Sequence, residues 1–375
     1  MTLEAQAAAC PGGQAPSVLN TLRASPQAPE GVDVPRTAPP SEPLRGHAAC
    51  PASDDRGPGR SPARGGAAKC HSGKGRRGEE PNGPRPGPDP GRAVRFAALG
   101  DSLTEGVGDP VDGGWRGWAA LLADGLAPRG ETAEFRNFAV SGALTRVVAD
   151  RQTPQALAYA PDIASVVVGV NDTLRRTFDI HDFTVLLDAV CADLTKSGAV
   201  LLTACLPDPG TMLGLPPPLA RPLARRQRAV NAVVHALSAR YGAVHLHVAE
   251  GRWVSDRGLW SADRLHPGER GHRLIAARFH ALLAAEGLAA GTPPGYEPER
   301  PPPTRAAALL WLLTAGTGWL ARRSTDLLPQ LLGLAAAEVR HGARGTTARL
   351  DTRAAQALSA ALAAVSAPPL ARMGE

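Results

Sequence analysis

Short apolar runs alternate along the chain with longer segments whose apolar residues recur at helical spacing, and this pattern begins abruptly at Ala93. The short runs have few polar interruptions, which is typical of strands buried on both faces of a sheet. The predicted strands are 93–99, 135–140, 163–168, 199–205 and 243–248. The predicted helices are 115–126, 183–194, 219–240 and 269–286. Buried strands that alternate with helices predict an α/β fold with a parallel sheet covered on both faces.

The pattern is absent from residues 1–92, which predicts a disordered tail rich in Pro, Gly and Arg. The chain has 36 prolines and 41 glycines, too many for one compact fold, and they are dense in the tail, as in 81–90 (PNGPRPGPDP). Such a segment lacks the apolar residues that would offset the entropy of ordering it. An alternative is that the true start codon lies near residue 92.

The composition changes after the folded domain that is predicted over 93–290. Residues 291–304 are predicted to be a proline-rich linker, and 305–375 a helical appendage of two or three helices, at 306–320, 327–339 and 354–365. The appendage is expected to pack on the main domain or on a second copy of the chain. Two contacts through 305–340 stay open: a homodimer, or peripheral membrane binding by the apolar residues 309–320.

The charge and cysteine content of the chain limit the binding partners and the cellular compartment that we expect. The net charge is +6, but much of the excess lies in the tail, so we expect no nucleic-acid partner. Five cysteines do not form a disulfide framework, and Cys70-His71 lacks a second Cys-x-x-Cys pair, which argues against zinc there. Cys191 and Cys205 are predicted to be buried free thiols. With no secretory signal and no run of about 18 apolar residues, a cytoplasmic location is predicted.

The first candidate motif is Gly100-Asp101-Ser102-Leu103-Thr104-Glu105-Gly106, directly after the first predicted strand. A serine nucleophile must project from the sheet edge with its backbone N–H free, and the flanking glycines permit the tight turn. The sequence has no Gly-x-Ser-x-Gly elbow, phosphate-binding lysine loop or dinucleotide glycine fingerprint around it. By itself the motif is also compatible with an ordinary turn.

Two further motifs follow later strands. Gly142, in 137–142 (NFAVSG), could offer an unhindered N–H to an oxyanion, and Asn171, in 169–172 (GVND), a side-chain amide. Taken alone, Gly142 is better explained as an ordinary turn glycine, and Asn171 is also compatible with an Asx-turn that closes the strand. Because the carboxyl ends of parallel strands meet at one edge, both are predicted to lie near Ser102.

The fourth motif, 263–268 (DRLHPG), precedes the last predicted helix. Asp263 and His266 are three residues apart, a spacing at which the aspartate can orient the imidazole and the imidazole can take a proton from a serine. A lone histidine is usually a surface residue. Four motifs in order, each at the end of a strand or before a helix, favour a catalytic site.

These motifs resemble those of the SGNH or GDSL hydrolases over residues 93–288. The resemblance implies a flavodoxin-like three-layer α/β/α sandwich. It assigns Ser102, Asp263 and His266 as catalytic residues and Ser102, Gly142 and Asn171 as oxyanion-hole donors. It also implies ester hydrolysis of a small-molecule substrate, as by an esterase or lipase, with no metal and no organic cofactor.

Several alternatives remain open from the sequence. The same residues would serve a carbohydrate or natural-product O-deacetylase, and the appendage would serve a membrane- or partner-binding protein. Ser141 is a second serine, but no separate base is evident for it. Four tryptophans could line an acyl pocket, although packing in the core is the slightly favoured role for them as a group. They are Trp115, Trp118, Trp253 and Trp260. His272 is predicted to be structural.

Overall fold

A computed structural model describes residues 92–300 and 317–366, and for 317–326 and 366 only the backbone. All of these residues lie in one compact unit. Residues 1–91 of the predicted tail and the apolar segment 306–316 lie outside the described residues. Among the described helices, none is both long and apolar enough to cross a membrane.

The secondary structure follows the predicted alternation. The strands are β1 (Arg95–Gly100), β2 (Pro110–Val111), β3 (Gly114–Trp115), β4 (Glu134–Asn137), β5 (Ile163–Val167), β6 (Val200–Cys205) and β7 (Val244–His247). The α-helices are α1 (Ser102–Glu105), α2 (Gly117–Ala123), α3 (Thr145–Val147), α4 (Thr153–Tyr159), α5 (Val170–Thr173), α6 (Ile180–Lys196), α7 (Pro209–Met212), α8 (Pro217–Arg240), α9 (Arg252–Ser255), α10 (Glu269–Ala285), α11 (Thr317–Ala343) and α12 (Thr347–Ser366). Most boundaries lie within a few residues of the prediction.

The main sheet has five parallel strands in the order β4-β1-β5-β6-β7. Counted within this sheet, the order is 2-1-3-4-5, which is that of flavodoxin-like folds. The chain reverses direction across the sheet between β1 and β5, and ligands of such folds bind beyond the carboxyl ends of the strands at this point. The predicted α/β fold with a parallel sheet is confirmed.

Two apolar layers enclose the sheet because successive side chains of a buried strand point to opposite faces. In β1, Phe96 and Ala98 pack with α2 and α10, where Trp118 and Phe279 are fully buried. Ala97 and Leu99 face the opposite layer, formed largely by α6 and α8. The result is a three-layer α/β/α sandwich.

One helical region was not predicted from the sequence pattern. Residues 145–159 form α3 and α4 joined by a π-helical turn, Val148–Gln152. The buried Gln152 at the end of this turn accepts from the N–H of Gly100 at 2.8 Å and donates to the carbonyl of Gly100 at 2.9 Å. Both backbone groups at the end of β1 are thereby satisfied, which holds the start of the Ser102 loop in place.

The C-terminal helices pack on the main domain. Both α11 and α12 contact α8, and α12 also contacts α6. Ala361 and Val365 are buried in the same apolar cluster as α6 and α8. Arg225 of α8 pairs with Glu338 of α11 and with Asp351 of α12, at 3.4 and 2.7 Å. The described part of the appendage therefore forms an extra layer over the α8 side of the sandwich.

Candidate active site

Ser102 lies at the N-terminus of α1, immediately beyond the carboxyl end of β1. The turn requires glycine at position 100, because φ is +153° and an added Cβ would lie 2.3 Å from the carbonyl oxygen of Val167. Asp101 caps the helix, and its Oδ1 accepts from the N–H of Leu103 at 3.1 Å. These contacts direct Ser102 away from the sheet edge and into the space above it.

His266 and Asp263 continue from Ser102 in a chain of hydrogen bonds. The Oγ of Ser102 lies 2.7 Å from Nε2 of His266, and Nδ1 of His266 lies 2.7 Å from Oδ2 of Asp263. The other carboxylate oxygen of Asp263 accepts from Ser261 Oγ and from the N–H groups of Leu265 and His266. The structure thus brings together the three residues predicted to be catalytic.

The environment of Asp263 keeps it ionised. Burial disfavours the charged carboxylate, but the hydrogen bonds and charge of His266, together with the other donors, outweigh burial and lower the pKa of Asp263 to about 2. An ionised carboxylate at Nδ1 requires that nitrogen to carry a proton. Nε2 is then the nitrogen that accepts from Ser102.

The loop that carries His266 is held against the loop after α1 by a close backbone approach. Gly108 has φ +106°, and an added Cβ would lie 1.9 Å from the carbonyl oxygen of Pro267. The buried His272 adds a second link. Its Nδ1 accepts from the N–H of Trp118, and its Nε2 donates to the carbonyl of Val107. These contacts agree with the structural role predicted for His272. The need for a glycine at position 108 was not predicted from the sequence.

Asn171 lies beside the same space but already uses its amide hydrogens. Its Nδ2 donates to Oδ2 of Asp101 at 3.0 Å and to the carbonyl of Ala143 at 3.3 Å. Gly142 has a left-handed φ of +80° and lies between Ala143 and Ser141. Asn171 and Ser141 line the cavity described below. Sequence reasoning did not anticipate that Asp101, besides capping α1, would orient the Asn171 amide.

Two carboxyl groups, those of the buried Asp101 and the partly buried Asp172, belong to this part of the site. Burial raises the pKa of Asp101 to about 6, although the hydrogen bonds from Leu103 and Asn171 oppose the shift. Burial likewise raises the pKa of Asp172 to about 6, against hydrogen bonds from Thr145. The motifs gave no indication of these shifts, because they arise from burial in the folded protein.

A cavity of about 480 Å³ opens over Ser102 and His266. Besides the polar residues named above, its walls are mainly apolar: Leu103, Val107, Trp115, Val170, Leu174, Leu206, Pro207, Pro209, Met212, Val248, Trp260, Leu265 and Leu327. Trp115 and Trp260 line it, whereas Trp118 and Trp253 are buried in the core. The four tryptophans therefore divide between the two roles considered. Leu327 comes from α11, so the appendage contributes to the wall.

Ser141, the second serine near the site, is engaged elsewhere. Its hydroxyl donates a hydrogen bond to Oε2 of Glu105. The hydrogen bond to Nε2 of His266 comes from Ser102.

A serine hydroxyl bonded to a carboxylate-oriented imidazole, at the switch point of a flavodoxin-like sheet, is typical of hydrolases that act through a serine. Residues 98–274 match the GDSL-like Lipase/Acylhydrolase family. The domain that they form belongs to this family, and the protein is an ester-hydrolysing enzyme.

Several solved structures are similar to about half of this chain, and the similarity extends over nearly the full length of each of those proteins. Acetylxylan esterase Axe2 from Geobacillus stearothermophilus is 19% identical, with a TM-score of 0.43 over 56% of this chain and 99% of that one. A GDSL-like lipase from Parabacteroides merdae is 17% identical, with a TM-score of 0.44 over 52% and 97%. The structure of TesA is 22% identical, with a TM-score of 0.40 over 51% and 99%. No curated protein matches the chain significantly.

Proposed function

We propose that the protein hydrolyses carboxylic esters by acyl transfer through Ser102, with His266 as the base and Asp263 as the residue that orients it. The observation that carries the proposal is the unbroken hydrogen-bond chain from Ser102 Oγ through both nitrogens of His266 to Asp263, with both links at 2.7 Å. The cavity above this chain gives an ester access to the hydroxyl.

The reaction proceeds in two halves that use the same groups. As Nε2 of His266 takes the Ser102 proton, Oγ attacks the ester carbonyl and forms a tetrahedral intermediate. The C–O bond to the alcohol then breaks, and His266 returns the proton to the leaving oxygen. Water, deprotonated by His266, attacks the acyl-enzyme, and collapse of the second intermediate releases the acid and restores the Ser102 hydroxyl. Asp263 remains ionised and stabilises the imidazolium throughout.

The oxyanion is proposed to be bound by the N–H groups of Ser102 and Gly142 and by the amide of Asn171. The first of these is at the N-terminus of a helical turn, where N–H groups have no intrahelical partner. Because Asn171 also donates to Asp101 and Ala143, one of its hydrogens must be shared with the oxyanion. Asp101 would then hold the amide in position before charge develops on the substrate.

The lining of the cavity favours an ester with an apolar acyl group. The cavity is lined by the apolar side chains of Leu174, Met212, Trp260 and Leu327. An acetyl group is too small to contact all of them. Burial of each further methylene contributes about 0.8 kcal/mol of binding free energy. We therefore propose that medium-length acyl esters are better substrates than acetates.

A series of p-nitrophenyl esters from acetate to palmitate tests this proposal. We expect kcat/KM to rise from acetate to an intermediate chain length. Leu327→Trp should move the optimal acyl-chain length to shorter chains, because the larger side chain would fill part of the cavity. Leu328→Trp, at an adjacent exposed position, should leave the optimal length unchanged. Hydrolysis of acetate alone would overturn the acyl preference, and no hydrolysis of any ester in the series would overturn carboxylic ester hydrolysis.

A further inference from the structure

Away from the cavity, the side chains of Cys205, His235, His245 and His247 form a cluster. One candidate ligand atom from each, a thiol sulfur or an imidazole nitrogen, lies within 4.8 Å of all the others. The three imidazole rings contact one another, with centroids 4.7 to 5.1 Å apart. This cluster is independent of the proposed hydrolysis, because none of its residues is part of the Ser102 hydrogen-bond chain.

The sheet register creates the cluster. In the parallel pair β6 and β7, Thr203 lies opposite His245 and Cys205 lies opposite His247. Residues two apart in a strand point to the same face, so all four face the α8 layer. His235 approaches from α8, which packs on this face of β6 and β7. The two adjacent strands and the helix that connects them therefore present the thiol and the three imidazoles to one point.

The hydroxyl groups around His245 determine which of its nitrogens is free to bind a cation. The Ser238 hydroxyl donates to the carbonyl of Val234 at 2.6 Å, so toward Thr203 it can only accept. The Thr203 hydroxyl thus donates to Ser238, and Nδ1 of His245, 2.9 Å from Thr203, must be the donor there. Nε2 of His245 is left with its lone pair.

That lone pair is buried. Within the described part of the chain, no hydrogen-bond donor reaches Nε2 of His245. An unsatisfied buried acceptor is costly, and such an atom calls for an explanation such as an ion.

We propose that Cys205, His235, His245 and His247 bind a single Zn²⁺ ion. One thiolate and three imidazoles are ligands that zinc prefers, and four protein ligands make a closed structural site. In a tetrahedral zinc site with one sulfur and three nitrogen ligands, the ligand atoms are about 3.3–3.6 Å apart given the bond lengths. Contraction from the present spacing of up to 4.8 Å would require the exposed His235 and His247 side chains to rotate toward the other two ligands. Binding converts the Cys205 S–H to a zinc-bound thiolate and releases one proton.

The ion would crosslink α8 to the edge of the sheet. Cys205 is followed by Leu206 and His247 by Val248, and both of these neighbours line the cavity over Ser102. The inferred role is therefore to stabilise the β6–β7 edge and the apolar wall that continues from it. The hydroxyls of Thr203 and Ser238 orient His245, as outer-shell groups do in metal sites.

Cobalt spectroscopy on the full-length, untagged protein tests the site. Cys10, Cys50 and Cys70 are first replaced by serine, so that a thiolate signal can come only from Cys205 or Cys191. Co²⁺ should bind at one ion per chain, with a thiolate-to-cobalt charge-transfer band and tetrahedral ligand-field bands, and Zn²⁺ should displace it. Zn²⁺ should also raise Tm.

Single variants identify the ligands. Cys205→Ala should abolish the charge-transfer band, and Cys191→Ala should retain it. His235→Ala should abolish tight binding while leaving Tm without metal unchanged, since His235 is exposed; His181→Ala, another exposed histidine, is its control. Thr203→Val should weaken binding about 10–100-fold. Absence of one-to-one binding, a band that persists in Cys205→Ala, or undiminished affinity in His235→Ala would each overturn the proposal.

Discussion

At the scale of single residues, the assignment of Ser102 depends on one hydrogen bond. Ser102→Ala should lower kcat by about 10³-fold or more without a change in Tm, because the alanine removes the nucleophile but no core contact. Ser141→Ala is the matched control and should remain active. Reaction with a fluorophosphonate followed by peptide mapping should find the adduct on Ser102, and an adduct on Ser141 would reverse the assignment.

Asn171 is expected to act on charge that develops only during the reaction. Asn171→Ala should lower kcat by about 10²–10³-fold with little effect on KM, because an oxyanion donor stabilises the transition state rather than the bound ester. Steady-state kinetics with one ester measures both constants. A change confined to KM would instead identify a residue that binds the ground-state substrate.

The low pKa of Asp263 has a consequence for stability. Since its pKa is about 2 in the folded protein and 3.8 in the unfolded chain, its contribution is present above pH 4 and is lost as the pH falls toward 2. A shift of this size corresponds to about 2 kcal/mol. Asp263→Asn should therefore be less stable than wild type near pH 6, and the difference should shrink toward pH 2. Urea unfolding at several pH values measures it, and a difference independent of pH would contradict the ionised state.

At the scale of elements, the approach of the loop after α1 to the His266 loop decides whether Ser102 meets its base. Gly108→Ala should cost about 2–4 kcal/mol of unfolding free energy and lower kcat, because the methyl group would force the Pro267 carbonyl away. Gly113 also has a positive φ, but a Cβ added there would have no atom within 4 Å. Gly113→Ala therefore measures the conformational cost alone, which is about 1–2 kcal/mol. Equal losses in the two variants would show that the close approach is unimportant.

At the scale of the whole molecule, the C-terminal helices cover apolar surface of α6 and α8. The sequence favours residues 92–290 as a folding unit, but removal of α11 and α12 would uncover the cluster that holds Ala361 and Val365 and would leave Arg225 without its carboxylate partners. A chain of residues 92–290 should therefore aggregate or unfold at a lower Tm than a chain of residues 92–375. Size-exclusion chromatography and thermal unfolding compare them, and a monomer with unchanged Tm would show that the layer is dispensable.

The sequence by itself determined the α/β fold and the order of the motifs along it. Parallel strands buried on both faces have a local apolar signature, and their carboxyl ends share one edge, so Ser102 and Asn171 could be placed near each other. The spacing of Asp263 and His266 allowed their contact to be anticipated, because three residues on one turn are close whatever the rest of the chain does.

Only the tertiary structure decided features that depend on contacts between distant segments. The approach of Gly108 to Pro267, the orientation of Asn171 by Asp101 and the position of Leu327 in the cavity wall have no periodic pattern in the sequence. Cys205 could be interpreted only as a buried thiol until the β6–β7 register placed it opposite His247 and the packing of α8 brought His235 to the same point. Such contacts are set by how strands pair and layers pack, and neither is encoded in any one segment.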